Sequence, residues 1–513
     1  MNKRVKFFRD GIMLTAATLV IRTVAMLFGA FITRTVGAEG VGLYTVVMTV
    51  YSFAVTFATS GISLTVTRLV AGAIGEGRED GVGGILRGAF IYSLGFGAVG
   101  TLVLFFGADF IGSYILSDIR TAVPLKVLAA SLLPSALSSL LAGYFVGVKR
   151  VGANAAAQVF SQMVRIVGTA LLVFYVSCEG TERSVTLLAL GITITETLSF
   201  LFVFAEFVYD RLRHKKGAKK AKAELPPVIS MALPLALSAY VRSVFLTIEH
   251  ILIPKRLRDG GEDSSEAYSH YGTLHGMALP MILYPMTPLS SFSGLLVPEF
   301  AESSSRKDKR AMSRIGGEAM NKTLTYATLA AVFLAVFSEE LGYIVYDSYD
   351  AGYYIAILAP VVPIMYLDHV TDSMLKGIGE QVFSMWVNIT DSILSVVLVW
   401  FLIPRMGIMG YAVVIVLMEG YNFILSVIRL GKRIKFRINP VRSLVLPLVF
   451  ALLSAHTAKS LFHYNGRVTT PFWLFMKMLF ALCVFVFMMA LCSVLSERMN
   501  KNGKKQRKST KKA

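Results

Sequence analysis

Three arginines lie near the middle of long apolar runs, where a charged side chain is costly. Arg22, Arg165 and Arg242 are each flanked on both sides by apolar sequence, too deep for the guanidinium to reach an interface easily. An arginine at the centre of a membrane helix costs at least about 2.5–3.5 kcal/mol, so each should face a wet cavity or be paired. A cavity lined by guanidinium groups suits a pyrophosphate, because the planar fork binds phosphate oxygens bidentately. Arg34, at the end of the first run, is a fourth candidate for this cavity.

Acidic residues in the apolar runs offer two kinds of chemistry. They could bind a coupling proton or Na⁺, or they could pair with the arginines inside the membrane. In the second case Arg242 would meet Glu249, and Arg22 or Arg165 would meet Glu196. The acidic candidates are Glu196, Glu249, Asp368, Asp372, Asp391 and Glu419.

Asp368 and Asp372 are four residues apart and share one helical face, with Lys376 one turn further on. The pattern fits an ion-coupling site, but a helix-end salt bridge between Asp372 and Lys376 explains it equally simply and is the reading we favour. Asp391 lies deeper in its apolar run and is a better coupling candidate.

The eighth apolar run contains four prolines: Pro280, Pro285, Pro288 and Pro298. Each removes a backbone donor and clashes with the preceding turn, so this helix should be kinked or broken. Broken helices in transporters line cavities and bend during gating. Pro280, Pro285 and Pro288 are therefore hinge candidates, with a static kink as the alternative.

Several other classes of function lack their signatures in the sequence. There is no GxxxxGK[ST] loop for ATP, no HExxH and no Ser/His/Asp arrangement, so we expect neither an enzyme nor a cofactor. Cys178, Cys483 and Cys492 form no disulfide framework or metal-binding motif. The net charge of +19 comes from short loops and a tail without the aromatic residues that stack on bases, which argues against nucleic acid.

Hydrophobicity dictates the elements that position these residues. Of the 513 residues, 55% are hydrophobic and 16% are charged, with a mean hydropathy of +0.63. The sequence predicts an all-α membrane protein of about fourteen transmembrane helices, and the basic loops place both termini in the cytoplasm. The apolar runs cover residues 11–33, 41–70, 84–108, 124–147, 154–177, 184–208, 228–253, 271–298, 321–339, 351–375, 382–403, 408–430, 441–462 and 472–495.

An internal repeat is visible along the chain. Arg22 and Arg242 occupy matching positions in runs one and seven, and Glu196 matches Glu419. The segment 147–150 after the fourth run is echoed by 377–380 after the tenth. The repeat predicts an N-lobe (1–208), a cytoplasmic basic linker (209–227), a C-lobe (228–433), two further helices (434–496) and a basic cytoplasmic tail (497–513).

Ordered motifs over residues 20–380 carry a family resemblance. They include Gly37-Ala38-Glu39-Gly40-Val41-Gly42-Leu43-Tyr44, Thr67-Arg68-Leu69-Val70-Ala71, Gly276-Met277-Ala278-Leu279-Pro280, Val297-Pro298-Glu299 and Tyr366-Leu367-Asp368. Together they resemble the multidrug/oligosaccharidyl-lipid/polysaccharide (MOP) flippase superfamily. The branch they most resemble is that of the polysaccharide transporters and stage V sporulation protein B, with the lipid II flippase MurJ more distant. Ser161 and Phe28 depart from residues common in these relatives, a glutamate and an arginine.

The resemblance implies a flippase in a bacterial cytoplasmic membrane. Its expected substrate is a polyprenyl-pyrophosphate-linked saccharide, moved from the inner to the outer leaflet by alternating access and driven by H⁺, Na⁺ or the membrane potential. Glycosyltransferases of the same pathway are expected partners. The alternatives are a cation-coupled multidrug exporter of the same superfamily and, less favoured, a membrane-embedded glycosyltransferase or ligase.

Overall fold

The computed structural model describes residues 3–76, 81–148, 150–175, 180–213, 224–462 and 470–509. Side chains are described in these ranges except at 3–21, 151–158, 172–175, 213, 238 and 496–509. Cys178 and most of the predicted basic linker therefore lie outside the described residues, as do the side chains of the basic tail.

Throughout the described residues the chain is α-helical, with short 3₁₀ and π-helical turns and no strand. The helices are α1 Lys3–Thr59, α2 Ile62–Gly75, α3 Val82–Phe110, α4 Ala122–Gly147, α5 Val151–Tyr175, α6 Thr181–Arg213, α7 Leu225–Asp259, α8 Ser264–Tyr271, α9 Leu279–Leu283, α10 Met286–Ser305, α11 Lys309–Val336, α12 Ser338–Tyr346, α13 Tyr349–Leu358, α14 Val362–Gly377, α15 Gln381–Met406, α16 Ile408–Arg433, α17 Leu446–Leu461 and α18 Pro471–Ser509. The expected all-α membrane fold is confirmed.

Two glycines explain why the helix boundaries differ from the first two predicted runs, 11–33 and 41–70. The first run and most of the second lie in α1, and the rest of the second lies in α2. At Gly37 the backbone has φ 75°, so α1 is two helical segments joined at a kink. Gly61 has φ 79° and its Cα lies against the carbonyl of Ala232, where a Cβ would not fit. α1 therefore ends, and α2 begins after two intervening residues, Ser60 and Gly61.

Eleven helices of the described residues are long and apolar enough to cross a membrane, by length and composition. The first of these, Arg22–Gly75, has 54 residues and at 1.5 Å per residue is long enough for two crossings. Run 271–298 is divided among shorter helices. Within run 154–177, the apolar stretch of α5 whose side chains are described, Val159–Leu171, is shorter than a membrane crossing requires. The number fourteen and the cytoplasmic termini therefore remain predictions.

The helices form two compact units. Unit 1 comprises Met1–Phe31, Thr273–Asp391 and Ala412–Ala513, and unit 2 comprises Ile32–Gly272 and Ser392–Tyr411. This grouping by contact places α7 with the helices of the predicted N-lobe and the start of α1 with those of the C-lobe. The lobe boundaries drawn from the repeat remain a prediction.

Each unit contains the same close helix contact. In unit 2, Gly147 of α4 lies against Val70 and the Thr67 carbonyl of α2. In unit 1, Gly377 of α14 lies against Phe300 and the Val297 carbonyl of α10, all three positions displaced by about 230 residues. This recurrence is what the internal repeat predicts.

Candidate functional site

In unit 1, Arg22 on α1 contacts the proline-rich segment. Its Nη1 donates to Oγ1 of Thr287 over 3.3 Å, and the next residue, Thr23, shares a 2.6 Å hydrogen bond with the Tyr284 hydroxyl. His369 of α14 is close enough to Arg22 to interact electrostatically. The Arg22 side chain is exposed, and no acid of the described residues lies within ion-pairing distance of it. The guanidinium can therefore bind an anion.

The proline-rich segment is broken, as the sequence predicts. A turn at Tyr284–Pro285 separates α9 from α10, and a π-helical turn, Gly272–Ala278, precedes α9. Pro280 lies in the first turn of α9 and Pro285 precedes α10, whereas Pro298 lies within continuous helix. The break is a structural fact, while bending at Pro280, Pro285 and Pro288 remains a prediction.

Hydroxyl groups satisfy the carbonyls at this break. Pro288 has no N–H, so the Tyr284 carbonyl lacks its usual helical donor. It accepts instead from the Thr287 N–H over 3.1 Å and from the Thr287 hydroxyl over 2.7 Å. Tyr366 of α14 donates to the Ile282 carbonyl over 2.8 Å, and Tyr326 of α11 donates to the Pro285 carbonyl over 2.5 Å. The three hydroxyl groups thereby add hydrogen bonds to carbonyls at the break, which stabilises it in an apolar environment.

In unit 2, Arg165 is paired. Its Nη2 lies 3.3 Å from Oε1 of Glu196, and the other carboxylate oxygen of Glu196 accepts a 3.1 Å hydrogen bond from Ser135. The Nε of Arg165 is buried without a hydrogen-bond partner in the described structure. The sequence left open whether Arg165 faces a cavity or forms an internal ion pair, and the structure shows the ion pair.

Arg242 differs from Arg165 within the same unit. The side chain is exposed and makes no hydrogen bond or ion pair with any described residue. The possible pair with Glu249 is not formed, because Glu249 instead accepts a 2.6 Å hydrogen bond from Ser395 of α15. Arg34 is also exposed. Arg242 joins Arg22 as an arginine without an acidic partner among the described residues.

A buried polar group beside Glu249 was not predicted from the sequence. The next residue, His250, shares a 3.0 Å hydrogen bond with the hydroxyl of Tyr271, which also bonds to Thr49. Tyr411 lies close enough to Glu249 to interact with it electrostatically. The sequence signal that could have indicated this group is the adjacent pair Glu249-His250 in an apolar run. These residues surround Glu249 with titratable and hydroxyl groups.

Three acids come together in unit 1. Asp368 of α14, Asp391 of α15 and Glu419 of α16 are close enough to interact electrostatically, and Ser426 donates to Asp368. Asp372 instead pairs with Lys376 over 2.5 Å, as the salt-bridge alternative expected. No group of three or more His, Cys, Asp or Glu in the described part of the chain is arranged to hold a metal ion.

Two ion-pair clamps occupy matching places in the two units. The unit 2 clamp joins Arg150, after α4, to Asp210 of α6, which also accepts a 2.8 Å bond from Tyr144. The unit 1 clamp joins Glu380, after α14, to Arg429 and Arg433 of α16. Hydrogen bonds from Arg429 and Arg433 lower the pKa of Glu380 below its usual value, although burial opposes them.

Both clamps stand on the same backbone turn. The Arg150 N–H donates to the Phe145 carbonyl over 2.8 Å, and the Glu380 N–H donates to the Leu375 carbonyl over 3.0 Å. In each case the bond spans five residues and follows the last helical glycine by three. The sequence match between 147–150 and 377–380 thus corresponds to one turn geometry carrying opposite charges.

Solved structures with this fold define the class of protein. The chain superimposes on the lipid II flippase MurJ in an inward closed conformation with a TM-score of 0.70 and 13% identity, covering 94% of this chain and 98% of that one. It superimposes on an inward-facing multidrug resistance MATE family transporter of the MOP superfamily with a TM-score of 0.68 and 14% identity, covering 80% and 94%. The fold is therefore that of a MOP-type membrane transporter.

Sequence comparison identifies the family. The sequence model of the polysaccharide biosynthesis protein family matches residues 7–304, and the chain belongs to that family. Stage V sporulation protein B of Bacillus subtilis (strain 168) is 27% identical over 417 residues, covering 80% of each chain. The resemblance found in the sequence is confirmed, and the chain is a multi-pass membrane protein whose relatives fit a bacterial cytoplasmic membrane.

Proposed function

We propose that this protein is a flippase that moves a polyprenyl-pyrophosphate-linked saccharide from the inner to the outer leaflet. The observation that carries the proposal is that Arg22 in α1 and Arg242 in α7 belong to helices long and apolar enough to cross a membrane, are exposed, and have no acidic partner among the described residues. Charges kept at that depth at a cost of several kcal/mol indicate a functional role. Membership of the polysaccharide biosynthesis protein family supports a saccharide-linked substrate.

The chemistry of the substrate follows from the side chains. Arg22 and Arg242 bind the pyrophosphate through bidentate, charge-assisted hydrogen bonds. The apolar prenyl chain stays in the lipid, because moving it into a polar cavity would expose it to water. The two arginines thus recognise the part common to all such lipids, and the saccharide is recognised elsewhere. The enzymes that build the saccharide, glycosyltransferases of the same pathway, are the expected partners.

Transport proceeds by alternating access, with carboxylates as the coupling groups. Glu249, held by Ser395 beside His250, is one candidate, and the group of Asp368, Asp391 and Glu419 is the other. Binding of a proton at either place, or of Na⁺ at Glu249, removes negative charge from a low-dielectric environment, where it interacts strongly. Asp372, Glu196 and Arg165 are already neutralised by ion pairs and serve the structure in this scheme.

Reconstitution in liposomes tests the proposal. With undecaprenyl-pyrophosphate-linked saccharide as substrate, Arg22→Ala and Arg242→Ala should each slow flipping at least about tenfold, because each loses a charge-assisted contact worth about 1.5–3 kcal/mol. Arg306→Ala, which removes an exposed pair with Glu302, is the matched control and should flip at the wild-type rate. Normal flipping by folded Arg22→Ala and Arg242→Ala proteins would refute the proposal.

A multidrug exporter is the second candidate, favoured by the superposition on a MATE family transporter. A cationic drug would be bound by carboxylates, whereas the first helix carries Arg22 and no acid from residue 11 to 38. Efflux of cationic dyes from cells, measured with and without Na⁺, separates the candidates. Na⁺-dependent efflux would favour the exporter.

A glycosyltransferase or ligase is the candidate from another class. We propose that the protein is not an enzyme, since the solved structures that share its fold include a flippase and a transporter. Incubating the purified protein with the lipid-linked saccharide and measuring the sugar chain length tests this. Elongation of the saccharide would overturn the assignment.

A further inference from the structure

One hydroxyl group serves both the exposed arginine of α1 and the break between α9 and α10. Thr287 Oγ1 accepts a hydrogen bond from Arg22 and donates one to the Tyr284 carbonyl. That carbonyl is the one deprived of its helical donor by Pro288. Arg22 is therefore two hydrogen bonds away from a backbone carbonyl of the break.

The rest of the break is fixed independently of Arg22. Tyr366 and Tyr326 hold the Ile282 and Pro285 carbonyls from α14 and α11. The Tyr284 carbonyl has two donors, the Thr287 N–H over 3.1 Å and the Thr287 hydroxyl over 2.7 Å. It differs from the other two carbonyls because one of its donors, the hydroxyl, is bonded to the arginine. A change at Arg22 can therefore reach the turn through Thr287 while the flanking carbonyls keep their donors.

We propose that Thr287 is a positioning residue that couples anion binding at Arg22 to the bend between α9 and α10. This inference rests on the proposed function, because it takes Arg22 to bind a prenyl pyrophosphate. It goes further by naming the residue through which an occupied site changes the shape of a transmembrane helix.

The physical basis is competition for the guanidinium. A pyrophosphate oxygen is a stronger acceptor than a neutral hydroxyl, so a bound anion withdraws Arg22 from Thr287. While bonded to Arg22, the Thr287 hydroxyl is polarised and donates more strongly to the Tyr284 carbonyl, because hydrogen bonds in a chain reinforce one another. Loss of Arg22 weakens that donation, and the helix bend changes. The ligand thus distinguishes two states of the break, which any ligand-driven change requires.

Spin-label distances across the break test the coupling. The labels are attached at Leu283→Cys and Phe292→Cys, two exposed positions on either side of the turn, after Cys178, Cys483 and Cys492 are replaced by serine. Farnesyl pyrophosphate, a water-soluble prenyl pyrophosphate, is the probe. It should shift the distance distribution in the otherwise wild-type protein and in Thr287→Ser, which keeps the hydroxyl, but not in Thr287→Val.

The affinity for the same probe shows whether Thr287→Val removes the coupling alone or also damages the anion site. Thr287→Val removes the group that competes for Arg22, so it should bind farnesyl pyrophosphate as tightly as the wild type or up to about tenfold more tightly. A merely misfolded site would bind more weakly. Thr328→Val is the matched control, since Thr328 also bonds to a carbonyl in its own helix, that of Leu324, without an arginine. This control should keep both binding and the distance shift.

The outcomes distinguish this inference from the function on which it rests. If the wild type does not bind farnesyl pyrophosphate, both are overturned. If the wild type binds the probe and Thr287→Val shows the same shift, the coupling alone is overturned. Weaker binding by Thr287→Val likewise contradicts the coupling, because the hydroxyl would then support the anion site.

Discussion

Charges inside the membrane are handled in two ways, visible residue by residue. Arg165 is neutralised by Glu196, and Asp372 by Lys376. Arg22 and Arg242 have no acid beside them among the described residues. In a pair each charge is balanced by the other, whereas an arginine without an acid needs water or a ligand. The contrast separates the paired arginine from those without an acidic partner among the described residues, which the sequence alone did not do.

The Arg165–Glu196 pair gives a prediction at this scale. Glu196→Gln leaves Arg165 without a counter-charge and should lower the free energy of unfolding by about 1–3 kcal/mol. Adding Arg165→Gln should restore part of that loss, because the uncompensated charge is gone. Thermal unfolding in detergent measures both. If the double variant were less stable than Glu196→Gln, Arg165 would not depend on Glu196.

Among the elements, the break between α9 and α10 shows how a helix can be interrupted in a membrane without exposing polar backbone. Pro288 removes the helical donor of the Tyr284 carbonyl. Hydroxyls of Thr287, Tyr326 and Tyr366, from three different helices, donate to three carbonyls of the break. The sequence predicts the break because proline chemistry is local. It could not predict the two tyrosines, which lie tens of residues away and become relevant only through tertiary packing.

The tyrosine contacts make the break testable as an element. Tyr366→Phe removes only the hydroxyl and leaves the Ile282 carbonyl buried without its donor, at a cost of about 1–3 kcal/mol. Amide hydrogen exchange around residues 282–289 should become faster as this segment opens more often. Tyr353→Phe, at an exposed tyrosine, is the control. Unchanged exchange in Tyr366→Phe would show that the tyrosine does not stabilise the break.

At the scale of the whole molecule, hydrophobic run length predicted the helical membrane fold, and ordered motifs predicted the family. The contact-based units were not predictable in the same way. The repeat assigns α7 to the second lobe, whereas its packing, including Gly61 against Ala232, places it in unit 2. Sequence periodicity records the repeat, but side-chain volume at individual crossings determines which helices pack together.

The unit 1 clamp predicts a pH dependence of the whole protein. The pKa of Glu380 is lowered in the folded state, mainly by its hydrogen bonds from Arg429. Its contribution to stability is therefore fully present above the ordinary glutamate pKa of about 4.3 and is lost as the pH falls through the lower folded value. Melting temperatures of wild type and Glu380→Gln should differ at pH 7 and converge below about pH 4. A constant difference down to pH 3 would contradict this.

The paired clamps also bear on how such a chain could arise and change. Arg150 and Glu380 follow α4 and α14 in equivalent turns but carry opposite charges. Arg150 pairs with an acid of α6, and Glu380 pairs with arginines of α16, in each case the second helix along the chain. The backbone hydrogen bond over five residues is common to both, although the charges they carry are opposite. If the two halves descend from one duplicated ancestor, electrostatic partners were free to diverge together while the turn was retained. In that case the backbone turn is the feature that both halves kept, and the charges of the ion pairs are the feature that changed.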